Sequence, residues 1–260
     1  MNKKQIKEVG ASLYQATVDK QKIEAPVITY PDMSYQDAYA IQRVMVSEYE
    51  KHGYHASGKK IGLTSTAMRK LAMINEPDYG ILFRELRFEN GSKIRRDLFV
   101  APSIEAELAF FLREDLAGDR ITPEEVLDKT AYVTAALEIV DMRQDFRGKS
   151  VLNSIADNAC FGGYVLGDVT IPPKVVDLGL LGMVFYKNGD PIDSACGAAV
   201  MDHPAIAAAW LANKMVELGN PLRAGELVLT GSFIQAIPME QGDTIRALFG
   251  HVGEVEITLF

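Results

Sequence analysis

The 260-residue chain is long enough to bury a sizeable core, and its 48% apolar and 24% charged composition excludes disordered and fibrous classes. A formal net charge of −8 with no basic cluster argues against nucleic acid and leaves small molecules as the expected partners. No run approaches the ~20 apolar residues of a membrane span, and the opening Met-Asn-Lys-Lys-Gln-Ile-Lys leads into no signal-peptide core, so no membrane association and a cytoplasmic address are expected.

Residues 1–55 read as an N-terminal helical segment ahead of a β-rich catalytic domain over 56–260, the two making one functional unit. Ser34 followed by Asp37 has the form of a capping box, and Ala38, Ile41, Met45 and Tyr49 then recur at helical spacing, which predicts a helix ending near Gly53. Beyond it the pattern changes to short apolar runs punctuated by Gly and Pro. Strands are expected over 58–63, 103–113, 131–141, 160–166, 182–187, 226–231, 244–249 and 253–260. Thr122-Pro123-Glu124-Glu125 carries an N-cap threonine and a proline at the first helical position, so a short helix begins there. Asn188-Gly189 signals a tight hairpin turn, and Pro204 through Leu218, stopped by Gly219, reads as a buried Ala-rich helix carrying Trp210. Glu76-Pro77-Asp78-Tyr79-Gly80 reads as a turn. Cys160 and Cys196 have neither the number nor the spacing of a disulfide framework or a zinc site, and both are expected as buried thiols.

Carboxylates carry the chemistry. Alternation along Ile104-Glu105-Ala106-Glu107-Leu108-Ala109-Phe110 puts the apolar side chains on one face and Glu105 and Glu107 on the other, ~7 Å apart at Cα. Glu138 interrupts Ala135-Ala136-Leu137-Glu138-Ile139-Val140, where its same-face neighbours are apolar. Buried carboxylates need a counter-charge, and three of them suit Mg2+ or Mn2+ rather than zinc, since the four histidines have no metal-pair spacing. The alternative is a solvated edge strand for Glu105 and Glu107, with Glu138 ion-paired to an arginine or to Lys60. In Gly58-Lys59-Lys60-Ile61-Gly62 the two lysines must point to opposite faces, one free to face solvent and the other inward, where beside a metal it could stabilise an enolate or pass a proton. Two ordinary surface lysines would give the same pattern.

As an ordered set, Lys60-Ile61-Gly62-Leu63-Thr64-Ser65, Glu76-Pro77-Asp78-Tyr79-Gly80, Ile104-Glu105-Ala106-Glu107, Ala136-Leu137-Glu138, Ala156-Asp157-Asn158-Ala159 and Gly242-Asp243 resemble the fumarylacetoacetate hydrolase superfamily. Within it they resemble the hydratases and decarboxylases of the meta-cleavage pathways for aromatic compounds. The resemblance spans nearly the whole chain. It implies an α+β fold, a curled mixed β-sheet core with N-terminal and peripheral helices, assembled as a homo-oligomer and possibly paired with another enzyme of the pathway. It also implies that Glu105, Glu107 and Glu138 hold Mg2+ or Mn2+, which chelates the carboxylate and 2-oxygen of the substrate. Lys60 and Asp78 match the family's proton-handling groups, and Thr64, Ser65 and Ser232 are candidate substrate-binding hydroxyls, with backbone capping as their other use. The activity implied is hydration of a 2-hydroxy-2,4-dienoate to a 4-hydroxy-2-oxo acid. The alternative is decarboxylation of a 2-oxo-3-enedioate of the 4-oxalocrotonate type. Decarboxylases of the group tend to carry an apolar residue where Asp78 stands, so Asp78 points to hydration. Two departures stand out: Ser103 where relatives often have Arg or Lys, and Asp202-His203-Pro204 in place of Gly-His-Pro.

Overall fold

In the computed structural model, residues 1–65, 69, 74–145 and 150–260 are described. Three N-terminal helices, α1 (Lys3–Asp19), α2 (Pro26–Thr29) and α3 (Tyr35–Lys51), lead into the strands. The α3 cap is the one the sequence advertises: Ser34 Oγ accepts the Asp37 N–H at 3.2 Å and Asp37 Oδ2 accepts the Ser34 N–H at 3.0 Å. Helix α3 stops at Lys51, and Gly53 takes the left-handed conformation that ends the turn.

The strands are β1 (Ala56–Gly62), β2 (Asp78–Phe83), β3 (Arg87–Phe88), β4 (Ser92–Ile94), β5 (Pro102–Leu112), β6 (Thr130–Asp141), β7 (Phe161–Ile171), β8 (Gly182–Lys187), β9 (Asp190–Cys196), β10 (Leu227–Leu229), β11 (Ile237–Pro238), β12 (Thr244–Phe249) and β13 (Gly253–Leu259). Between them lie α4 (Pro123–Lys129), α5 (Val151–Ala156) and α6 (Pro204–Glu217). Among the described residues they form an eight-stranded sheet in the order β2-β1-β10-β5-β6-β7-β3, with β11 added to β5, and a five-stranded sheet in the order β4-β13-β12-β8-β9. Most neighbours are antiparallel, but β1 with β10, β3 with β7 and β4 with β13 run parallel, so both sheets are mixed.

Alternation along the large sheet divides the interior into two cores. One face, with Ile104, Leu108, Phe110 and Leu137, packs on the small sheet through Phe185, Ile245 and Ile257 and on α6 through Leu211. The other face, with Ala109, Ala136 and Leu229, is covered by Leu13 of α1 and by Ala38, Ile41 and Met45 of α3. Gln42 of α3 is buried in that second core and donates to the Tyr79 carbonyl of β2 at 2.8 Å, tying the helix to the strand.

The hairpin at Asn188-Gly189 has both residues at positive φ, 56° and 90°, as a turn matched to strand twist requires. Three expectations are corrected. Asp78-Tyr79-Gly80 is no turn: it opens β2, paired antiparallel with β1 so that Asp78 faces Gly62 and Gly80 faces Lys60. The run carries turn-forming residues, and pairing with a strand sixteen residues earlier overrides that local preference. Cys196 is exposed because it ends β9, the outer strand of the small sheet, and Cys160 is only partly buried because it lines a cavity. Lys59 does not face solvent: it is 4% exposed, with Nζ 2.9 Å from Glu226 Oε1. The departure at position 202 has a backbone reason, since Asp202 lies at φ 68°, a region that glycine occupies freely and aspartate tolerates better than most residues.

Packing of α3 should outweigh its cap. Ile41→Ala, at a fully buried position, is expected to lower stability by ~2–5 kcal/mol. Ser34→Ala is expected to cost ~1 kcal/mol, and urea denaturation of the two variants measures the difference.

Candidate metal centre and active site

Strands β5 and β6 pair with Glu105 directly opposite Glu138 and Glu107 opposite Ala136, which puts all three carboxylates on the sheet face that carries Ala109 and Ala136. One oxygen from each glutamate lies within 4.8 Å of the others. Because β5 is flanked by β10 and β6, it is an interior strand and the solvated edge does not hold, whereas the ion pair of Glu138 with Lys60 is present. Glu107 and Glu138 are fully buried; Glu105 is partly exposed and lines a cavity.

Few groups in the chain compensate this charge. Glu107 Oε2 accepts the Gly231 N–H at 2.7 Å, and Gly231 sits at φ 104° where a Cβ would strike Thr64 at 2.4 Å, so glycine is required for the approach. Lys60 Nζ lies 3.0 Å from Glu138 Oε1, yet neither oxygen of Glu138, nor Oε1 of Glu107, accepts a well-aligned hydrogen bond. Among the described residues, the carboxylates here outnumber the one ammonium beside them, so negative charge is left for a cation to balance. Unpaired buried carboxylates each cost several kcal/mol. An all-oxygen donor set with orphaned buried atoms therefore fits a hard ion such as Mg2+ or Mn2+.

Without a cation the carboxyls hold their protons tightly. Burial, then repulsion from Glu138, pushes Glu105 up to about 7, against a partial offset from Lys60. Burial, then Glu138 and Glu105, raises Glu107 well above the usual carboxylate range. Glu138 is raised by burial, with Lys60 opposing. For Lys60 burial acts to lower the pKa, but Glu138, Glu105, Asp78 and Glu107 together outweigh it and hold the ammonium charged.

Asp78 is 1% exposed. Its Oδ2 accepts the Ser154 hydroxyl at 2.8 Å, and its Oδ1 has no hydrogen-bond partner. Burial raises its pKa, with Lys60 as the main opposing influence. Gly62, opposite Asp78 in the ladder, leaves the room for this carboxyl: a Cβ there would lie 2.1 Å from Asp78 Oδ1. Lys60 Nζ also donates to the Ala159 carbonyl at 3.1 Å. That carbonyl belongs to a turn in which Asn158, Ala159 and Cys160 all have positive φ, 53°, 50° and 57°. Left-handed backbone costs a non-glycine residue roughly 1–2 kcal/mol, so this turn is strained beside the site.

A cavity of about 560 Å³ lies beside the site, lined from both sheets and by the segment 232–236. Lys60, Asp78, Glu105, Thr64, Ser65 and Ser232 all line it, so the structure brings every candidate position to one cavity, with Glu107 and Glu138 beside Glu105. Ser232 also has a backbone use: its Oγ is 3.5 Å from the Ala106 carbonyl and accepts the Ile234 N–H at 3.4 Å. Residue-by-residue reading of the sequence missed Ser154 and the buried pair Arg143–Asp157, with Nε 2.5 Å from Oδ1. For Asp157 the one signal was its place in Ala156-Asp157-Asn158-Ala159.

The profile of the family described as Fumarylacetoacetate (FAA) hydrolase C-terminal matches residues 59–259. The chain is 38% identical over 253 residues to a 2-oxo-hept-4-ene-1,7-dioate hydratase of Escherichia coli, covering 95% of each. It is also 38% identical over 255 residues to a 2-keto-4-pentenoate hydratase of Paraburkholderia xenovorans, covering 98% of this chain and 95% of that one. Among solved structures, 4-oxalocrotonate decarboxylase from Pseudomonas putida G7, complexed with magnesium and adipate, superposes with a TM-score of 0.96 at 28% identity, over 100% of this chain and 99% of that one.

Three outcomes are expected at this site. The raised carboxyls take up protons on folding between the free glutamate value of 4.5 and about 7, so the cation-free protein should lose thermal stability as pH rises through that window. Mg2+ must displace those protons, so it should raise the melting midpoint more at about pH 8 than at about pH 5.5, read by differential scanning fluorimetry. Gly62→Ala should displace the Asp78 carboxyl and lower turnover at least roughly tenfold while Mg2+ affinity, read by calorimetry, stays near that of the parent.

Proposed function

This chain belongs to the fumarylacetoacetate hydrolase family, and we propose that it is a hydratase dependent on Mg2+ or Mn2+, adding water to a 2-hydroxy-2,4-dienoate to give a 4-hydroxy-2-oxo acid. The observation that carries this reading is the convergence of Glu105, Glu107 and Glu138, with orphaned oxygens, beside a cavity that Lys60 and Asp78 also line. A cation held by the three glutamates would supply a Lewis acid for the carboxylate and 2-oxygen of a 2-oxo acid or its enol.

The chain's own groups handle the rest. Lys60, anchored by Glu138 and the Ala159 carbonyl, presents a fixed positive charge to an enolate formed in the cavity. Thr64, Ser65 and Ser232 offer hydroxyls along the substrate. Hydration adds the elements of water as a proton on carbon 5 and a hydroxyl on carbon 4, and the 2-hydroxyl gives up its proton as carbon 3 gains one, which leaves the 2-oxo group. Asp78 suits the proton transfer: Ser154 fixes one oxygen and leaves the other unpartnered, and burial raises its pKa so that it can carry a proton where a free aspartate would have lost it.

Decarboxylation of a 2-oxo-3-enedioate is the second reading, favoured by the likeness to the magnesium-bound decarboxylase structure. The same cation site would serve it, but it has no evident use for a carboxyl at Asp78, and the relatives at 38% identity are named hydratases. A panel of dienoates and a 2-oxo-3-enedioate, assayed with purified protein and Mg2+ for water addition and for CO2, separates the two; CO2 release without hydration would overturn the proposal. Asp78→Asn is expected to lower kcat by ~10²–10⁴ with cation affinity retained. Glu138→Gln should abolish both cation binding and turnover, and full activity in that variant would remove the cation from the account.

A further inference from the structure

Ala156-Asp157-Asn158-Ala159 has no part in the chemistry above, and a fully buried ion pair stands behind it. Arg143, just after β6, is 0% exposed and spends its whole guanidinium on this segment: Nε donates to Asp157 Oδ1 at 2.5 Å, one terminal nitrogen to the Phe161 carbonyl at 2.9 Å, the other to the Asp157 carbonyl at 3.1 Å. Its hydrogen bonds therefore bracket the left-handed residues 158–160 on both sides. The turn has two outputs. The Ala159 carbonyl holds Lys60 Nζ, and the Asn158 side chain pairs with Ile81 as a neighbouring strand would, accepting its N–H at 2.8 Å and donating to its carbonyl at 2.9 Å. Ile81 lies three residues after Asp78 in β2. Ser154, which orients Asp78, sits on the short helix α5 that Asp157 terminates.

From this geometry we infer that Arg143 and Asp157 are positioning residues for the reaction: together they lock the 158–160 turn in its left-handed form and so set both Lys60 and Asp78 against the substrate. The pair touches neither group. A purely structural core has no need of it, since a buried ion pair is commonly matched in stability by apolar residues of similar volume. Backbone strain of this kind persists where surrounding contacts over-determine it, and it concentrates at functional sites. The three glutamates sit on β5 and β6, outside the reach of these hydrogen bonds, so the pair should govern turnover rather than cation binding.

The inference rests on the roles proposed for Lys60 and Asp78, and the test uses a variant that removes the pair without leaving a buried charge. Arg143→Met with Asp157→Leu is expected to fold with a melting midpoint near that of the parent and to bind Mg2+ within about threefold. Its kcat should be lower by roughly 10²-fold with KM little changed, the penalty of a misplaced reacting group. Its crystal structure should show residues 158–160 relaxed out of the left-handed region and Lys60 Nζ detached from the Ala159 carbonyl. Arg143→Lys, which keeps the charge but loses the fork of donors, should fall between the two in kcat. A folded double variant with parental kcat, or one whose turn keeps its left-handed form, would overturn the inference. Failure of the parent to hydrate any dienoate counts instead against the proposed function, and the crystallographic outcome still decides the role of the pair.

Discussion

Three carboxylates brought together on adjacent strands, two of them fully buried, set the terms for everything around this site. At such separations like charges in a protein interior repel by several kcal/mol even with an effective dielectric near 20. The opposing register of Glu105 and Glu138 makes the clustering unavoidable once β5 and β6 pair. Among the described residues the answer is one ammonium, Lys60, and one backbone N–H, Gly231. That is less than a neutral balance and leaves a deficit for a cation to fill.

The two-core arrangement makes this possible. On one face the large sheet is sealed by the small sheet and α6, which is ordinary hydrophobic packing. On the other, α1 and α3 cover Ala109, Ala136 and Leu229, and their bulk excludes water from the same face that bears the glutamates. Small residues at 109 and 136 beside the acids let the covering helices approach without filling the space at the carboxylates. The N-terminal helices thus contribute to the site through burial, though no residue of theirs lines the cavity.

Beyond the Lys60–Glu138 contact, the proton-handling groups are braced from outside the cation site. Lys60 and Asp78 belong to β1 and β2 at one end of the large sheet, and both are braced by the segment 154–160 that leads into β7 at the other. The sheet curls enough for this segment to reach across, and a left-handed turn with a buried arginine behind it completes the span. The two sets meet at Lys60, whose ammonium lies 3.0 Å from Glu138 while the 158–160 turn holds it from the other side.

By itself the sequence determined the elements whose signal is local. Alternation in 104–110 and 135–140 carried the faces of β5 and β6, the Ser34 and Thr122 caps carried the starts of α3 and α4, and Asn188-Gly189 carried a hairpin. The family resemblance rested on ordered short motifs and needed no geometry. Tertiary structure alone decided what depends on partners distant in the chain. It turned Asp78-Tyr79-Gly80 from an apparent turn into a strand, because Gly62 and Lys60 lie alongside. It buried Lys59 against Glu226, 167 residues away, and paired Arg143 with Asp157 through a backbone reversal that no periodicity encodes. Burial and register set the charge balance of the three glutamates as well: a side chain's type is written in the sequence, but the dielectric around it and the charges beside it exist only once the chain has folded.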